Sequence, residues 1–247
     1  MNLLCLPAAV GHFGMFGARA VPAALFAFTH PREIARQLYV VLLGALPLGL
    51  AAGGAVGAVV WLHLHNVMTQ GLKEKTPEYL AQAVLLEFAP LAAGMIVAGR
   101  TGASLGAELS SMKLTEQVDA LESMGLPSLR YLVGPRVLAC ALSLPVLTLY
   151  IAFFALASSY LAEMAGGSLY STQYLTALRA GIDRVNIVAS TLKTVVFGYL
   201  IGCAGTYSGL TAPGGSEGVG VAATRGVVWS IFLVLASNVF LVKLLHD

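Results

Sequence analysis

Five apolar runs, at about residues 38–62, 84–107, 134–162, 187–208 and 226–245, dominate the chain. Each meets the length of roughly 20 residues that a helix needs to cross a bilayer. Lipid offers no hydrogen-bond partners, so such runs can only be helices buried in hydrocarbon or in protein. With 57% hydrophobic and 11% charged residues and a mean hydropathy of +0.81, little of the chain is left for a soluble domain. The expected fold class is an all-α integral membrane protein: a single domain of five transmembrane helices over residues 1–247. A net charge of +2, with no basic run, gives no sign of a nucleic-acid partner.

The first run carries Gly49, Gly53 and Gly57, and the second Gly94, Ala98, Gly102 and Gly106. Small residues at every fourth position let helix backbones approach closely, so both runs are expected to face protein rather than lipid. Residues 1–30 hold shorter apolar stretches broken by Pro7 and Pro22, and Phe13, Phe16 and Arg19 suit a helix lying in the interface. Without a basic n-region this stretch reads as retained rather than as a signal peptide. Cys5, Cys140 and Cys203 lie far apart and read as buried thiols.

If the N-terminus is cytoplasmic, eight Lys and Arg residues fall inside, Arg19, Arg32, Arg36, Arg100, Lys113, Arg130, Arg136 and Arg225, against six outside, Lys73, Lys75, Arg179, Arg184, Lys193 and Lys243. The positive-inside rule thus leans toward a cytoplasmic N-terminus, and an odd span count puts the C-terminus on the far side.

Between the second and third runs lies a polar stretch. On a helical wheel Leu114, Val118 and Leu121 share a face beside an acidic arc of Glu116, Asp119 and Glu122. The pattern predicts a short amphipathic helix over 113–124, with Thr115 capping its start and Gly125 and Pro127 stopping it. Acidic side chains gain nothing from an anionic leaflet, so the helix is either a solvated loop element or a docking element for a basic groove.

Glu87 and Lys193 each fall one or two turns inside a span, where an ionised group costs roughly 3 kcal/mol or more without a partner. The residues leave two readings open: a structural ion pair, or charges that line a wet cavity. Arg100 and Glu108 sit near one face of the second span, Arg100 as a snorkelling interfacial residue or part of a polar network. His63 and His65 in "WLHLHN" point roughly 200° apart on a helix, which suits an interfacial belt with Trp61 better than a metal site.

No G-x-x-x-x-G-K-[ST] occurs, so ATP chemistry would have to come from another chain, and "PGGSEGVG" reads as a turn. An intramembrane enzyme would need a nucleophile or metal motif, and H-E-x-x-H and D-x-D are both missing; Ser158 and Ser159 have no His near them in sequence. A secondary carrier is disfavoured by five spans without inverted-repeat symmetry.

The run "EFAPLAAGMIVAGRTGASLGAELSSMKLTEQVDALESMGLPSLRYLVGPRVLA", followed by "LKTVVFG" and "GGSEGVGVAATRGVVWS", resembles the permease subunits of the MlaE/YrbE family from about residue 36 onward. The resemblance implies the permease of an ABC-type lipid transporter in a Gram-negative inner membrane. Its cargo would be phospholipid moved between inner and outer membranes; sterols or other apolar molecules are the alternative. It further implies a dimer of two copies, a cytoplasmic ATPase that holds the ATP and Mg, a periplasmic ring of MCE-domain subunits and a small cytoplasmic accessory subunit. No cofactor is expected in this chain, nor catalytic residues. The N-terminus would be cytoplasmic and the C-terminus periplasmic.

Residue by residue, the family pattern puts Lys113, Thr115, Glu116, Gln117, Asp119 and Glu122 on the coupling helix that docks on the ATPase. Glu87 and Lys193 fall around the lipid cavity, where Lys193 would attract a lipid phosphate and Glu87 would keep the cavity hydrated. Leu86 stands where some relatives carry Arg. Arg100 and Glu108 fall in a structural polar network between cavity and coupling helix. Arg225 is a topology anchor or part of the ATPase-facing surface.

Overall fold

A computed structural model describes residues 6–67, 74–166 and 169–246, and the regular structure among them is entirely helical. Cys5 and Lys73 lie outside the described residues. In chain order the helices are α1 (Leu6–Ala27), α2 (Pro31–Val67), α3 (Thr76–Ala83), α4 (Ala89–Leu114), α5 (Gln117–Ser123), α6 (Gly134–Gly166), α7 (Ser171–Gly181), α8 (Arg184–Leu210) and α9 (Ser216–His246). A π-helical turn at Val84–Phe88 joins α3 to α4, and another at Leu129–Val133 leads into α6. Among the described residues, five continuous stretches are long and apolar enough to cross a membrane, Pro31–Val67, Thr76–Leu114, Leu129–Gly166, Ile187–Leu210 and Ser216–Leu244, as the five apolar runs predict. They overshoot those runs because backbone hydrogen bonding carries each helix past its apolar part. The 39-residue second span is roughly 58 Å long at 1.5 Å per residue, against a hydrocarbon layer of about 30 Å.

Both π turns have the same local cause. Pro90 and Pro135 each follow two residues after the turn. A proline inside a helix donates no N–H to the carbonyl four residues back and its ring crowds that carbonyl. Widening the turn relieves the clash, and Ala89 N–H bonds to Val84 O in the longer π pattern.

α4, α6 and α8 form the centre of the bundle, with α2 packed along α6 and α9 along α4 and α8. Glycines make the closest crossings. A Cβ on Gly57 would collide with the Ala155 carbonyl, and one on Gly53 would lie 2.7 Å from Ile151 O, so the α2 ladder faces α6. Gly102 and Gly106 of α4 press on α9, where added Cβ atoms would meet Gly226 O at 3.0 Å and Ala222 O at 2.5 Å. The α4 ladder therefore does face protein, as its spacing predicts.

α1 lies against α6, α8 and the second π turn through Ala20, Ala23, Ala24 and Ala27. Phe13 and Phe16 pack edge-on against Tyr207, and Tyr199 donates to Gly17 O at 2.5 Å. The face with Met15, Val21 and Leu25 stays exposed, as does Arg19. Cys140 and Cys203 are free, buried thiols.

The amphipathic helix is shorter than the wheel suggests. Lys113 and Leu114 still belong to α4, and α5 begins only at Gln117. Thr115 ends α4 instead of starting α5: its hydroxyl donates back to Ser111 O and Met112 O at 3.0 and 3.3 Å. Glu116 then takes a left-handed conformation (φ 59°), which turns the chain and drops Val118 onto Leu109 and Leu132. Leu114 stays exposed, outside that contact. The stop is as expected, with Gly125 at φ 76°.

Candidate functional site

Pro90 also explains the chemistry beside it. The carbonyl it leaves without a donor belongs to Leu86. That oxygen accepts from Lys193 Nζ at 3.1 Å, and the same ammonium meets Glu87 Oε1 at 2.8 Å. Asn238 donates its amide nitrogen to Glu87 Oε2 at 3.2 Å. A motif on the second span thus ties α8 and α9 together through one carboxylate. The pair is asymmetric: the Lys193 side chain is 2% exposed and that of Glu87 34%.

The site lies toward the end of the bundle that carries α3 and α7. An open cavity of about 550 Å³ adjoins it, walled by Tyr79, Gln82, Leu86, Glu87, Asn238 and Val239 among others. A second, almost wholly apolar hollow of about 640 Å³ lies between α2 and α3, against Val59, Val60, Leu64 and Phe88. Tyr79 and Ala83 stand in both walls. Lys193 is in neither; it stands behind Glu87.

Arg100 and Glu108 are not brought together. Arg100 reaches over Gly44 to Val40 O at 3.1 Å, filling space that a Cβ on Gly44 would need. Glu108 instead pairs with Arg136 at 2.6 Å, and Arg136 also donates to Leu132 O at 2.7 Å. Arg136 is buried while the Glu108 side chain is 44% exposed, so this ion pair repeats the asymmetry of the first. Asn238 and Arg136 are functional positions that the sequence does not single out. Only Arg136 carries a signal, a charge at the head of a long apolar run, where it needs a partner.

At the opposite end of the bundle, Lys113 Nζ donates to Leu210 O and Ala212 O at 2.8 and 3.2 Å, capping the C-terminus of α8. Lys113→Met is expected to lower stability by about 1 kcal/mol, read as a lower midpoint in thermal unfolding of the detergent-solubilised protein. On α5 itself Gln117 donates to Thr115 Oγ1, and Glu122 Oε1 accepts from Ser128 at 2.6 Å. Glu116 and Asp119 are exposed. Arg225 is exposed beside Glu217 at the start of α9.

The His63 ring bonds Val59 O at 2.9 Å, and the His65 ring stacks on Trp61 at 4.9 Å. Trp61 donates to buried Glu163 Oε2 at 2.6 Å, and Leu169 N–H to its Oε1. Ser158 and Ser159 donate to Ala155 O and Leu156 O, and Tyr174 donates to Ser159.

The family model described as Permease MlaE matches residues 34–244. The chain belongs to the MlaE permease family. Among similar proteins is a probable ABC transporter permease protein of Rickettsia typhi, 34% identical over 240 residues, 96% of this chain and 92% of the relative. A probable ABC transporter permease protein of Synechocystis is 31% identical over 211 residues, 85% of this chain and 80% of the relative. The chloroplastic protein trigalactosyldiacylglycerol 1 of Arabidopsis thaliana is 35% identical over 161 residues, 65% of this chain and 46% of that protein. The motif resemblance is therefore borne out, and this MlaE permease is a multi-pass membrane subunit of an ABC transporter. Membership in that class implies an ATPase partner.

Proposed function

We propose that the chain is the permease subunit of an ATP-driven transporter that moves phospholipid between the inner and outer membranes and so supports outer-membrane lipid asymmetry. The observation that carries this reading is the pair of hollows about Tyr79, one apolar and one with Glu87, Gln82 and Asn238 on its wall. An amphiphile needs both kinds of surface side by side. The name of the Arabidopsis relative, which contains that of a glycolipid, agrees with a lipid cargo.

In this reading two copies assemble in the inner membrane with the N-terminus cytoplasmic and the C-terminus periplasmic, so that the hollows open toward a periplasmic MCE ring. The apolar faces of α2 and α9, the least buried spans, suit contact with lipid or the second copy. The ion pair of Glu87 and Lys193 forms the polar end of the lipid cavity, with Glu87 on the wall. The pairs of Arg100 and Glu108 with their new partners brace the bundle between cavity and α5.

α5 docks on a cytoplasmic ATPase, which binds ATP and Mg, and a small accessory subunit completes the cytoplasmic side. Lys113, Thr115, Gln117 and Glu122 shape the docking turn, while Glu116 and Asp119 present its free charge. ATP binding in the partner shifts the cavity between states of different lipid affinity, and only such differential binding can drive transport.

Affinity purification of the tagged chain from its native membrane, with proteomics and lipid mass spectrometry on one sample, tests the reading. An ABC ATPase and phospholipid are the expected companions; recovery of neither would sink it. Reversing the free charge with Glu116→Lys and Asp119→Lys is expected to cut ATPase retention at least tenfold and leave the thermal midpoint unchanged, because both side chains are exposed.

A further inference from the structure

We infer that the cavity selects its lipid by an acceptor wall: it takes a headgroup that carries a primary ammonium and disfavours one that is purely anionic. The inference rests on the reading of this cavity as a phospholipid site.

A lysine inside a lipid cavity suggests a phosphate clamp, as the family pattern implies for Lys193. The geometry points the other way. Lys193 is 3% exposed, it is not on the cavity wall, and its ammonium is engaged by Glu87 Oε1 at 2.8 Å and Leu86 O at 3.1 Å. Burial in a second copy or in lipid can only hide it further. The pair as a whole is neutral but presents a dipole, and its negative end faces the cavity because Glu87, a third exposed, is the member on the wall. Among the described residues, no cation lines this cavity.

The hydrogen-bond inventory agrees with the charge. A carboxylate offers about four lone-pair positions, and Glu87 uses one on each oxygen, for Lys193 and Asn238. Only an amide nitrogen can face a carboxylate, which fixes the orientation of Asn238 and leaves its Oδ1 without a partner. Gln82 on the same wall adds a second amide. Asn238 Oδ1 is buried and out of reach, so the acceptors offered at the polar end of the cavity are the remaining Glu87 lone pairs and the Gln82 carbonyl.

An ammonium with three N–H groups supplies what this wall lacks; a quaternary ammonium supplies charge but no donor. A bare phosphate monoester meets the negative end of the dipole, with the compensating ammonium buried behind it. A tenfold preference corresponds to about 1.4 kcal/mol.

The test uses the full-length chain in detergent micelles with equal amounts of dioleoyl phosphatidylethanolamine and dioleoyl phosphatidic acid, and native mass spectrometry of the retained lipid. About tenfold more phosphatidylethanolamine is expected on the wild-type protein. Gln82→Lys leaves the ion pair intact and puts a cation on the wall; the preference should fall to parity or reverse. Glu87→Gln combined with Lys193→Met removes both charges without stranding either, and should abolish the preference while lipid is still bound. Phospholipid retained with no preference, or with phosphatidic acid in excess, overturns the acceptor wall and leaves lipid transport standing. A preference that survives both variants also overturns it. No retained phospholipid at all overturns the underlying reading as well.

Discussion

Glu87→Ala is expected to destabilise the protein by about 3–5 kcal/mol, the usual cost of leaving one member of a buried ion pair without its partner. The burden falls on Lys193, whose side chain is 2% exposed and whose ammonium would retain only the Leu86 carbonyl. Lys193→Met should cost less, about 1–2 kcal/mol, because Glu87 is one-third exposed and keeps the Asn238 amide. Replacing both, Glu87→Gln with Lys193→Met, should bring stability back to within about 1 kcal/mol of wild type. SDS titration of the four proteins, followed by circular dichroism, gives the cycle. Equal losses for the two single variants would mean that the asymmetry of exposure carries no energetic weight. A double variant as unstable as Glu87→Ala would mean that the pair holds the three helices together by more than charge compensation.

The second large effect is expected at the crossing of α4 and α9. Gly106→Leu should cost about 3 kcal/mol, the upper end of the range for overpacking. A Cβ there would lie 2.5 Å from Ala222 O and 2.9 Å from Ala222 C, and both are backbone atoms that cannot rotate aside. The helices must move apart, and the neighbouring approach of Gly226 to the Gly102 carbonyl is lost with them. Gly99 on the same helix provides the contrast. A Cβ there meets nothing within 4 Å, so Gly99→Ala should be neutral or stabilise by up to about 1 kcal/mol through helix propensity. Similar unfolding midpoints for Gly106→Leu and the wild type would rule out close backbone contact at this crossing.

These two sites show what can be read from a chain of this kind and what cannot. The glycine ladders announce that α2 and α4 face protein, because a spacing of four has one physical use in lipid. They do not say which helix each ladder meets; α6 and α9 answer only in three dimensions. Glu87 and Lys193 each demand a partner when placed in hydrocarbon, so a pairing between them is foreseeable from energy alone.

Asn238 is not foreseeable, since a lone amide in an apolar helix has no spacing rule. Arg100 and Glu108 mislead for the opposite reason. Two turns apart on one helix, they invite a local reading, yet the carboxylate finds Arg136 on α6 and the guanidinium finds a carbonyl on α2. The start of α5 is later than the wheel predicts because the left-handed turn falls on Glu116, a residue type that gives no notice of it.

The π turn at Val84–Phe88 has one more consequence. A wide turn holds one residue beyond what an α-helix would, so side chains on its two sides are out of phase by about 100°. Upstream, α3 offers its stripe to α7; downstream, α4 offers its own to α8 and α9. One uninterrupted rod thereby serves two sets of neighbours on different bearings. Deleting any single residue within the turn would bring the two halves back into phase, and the α7 end of the bundle would be rotated away from the helices that it now meets.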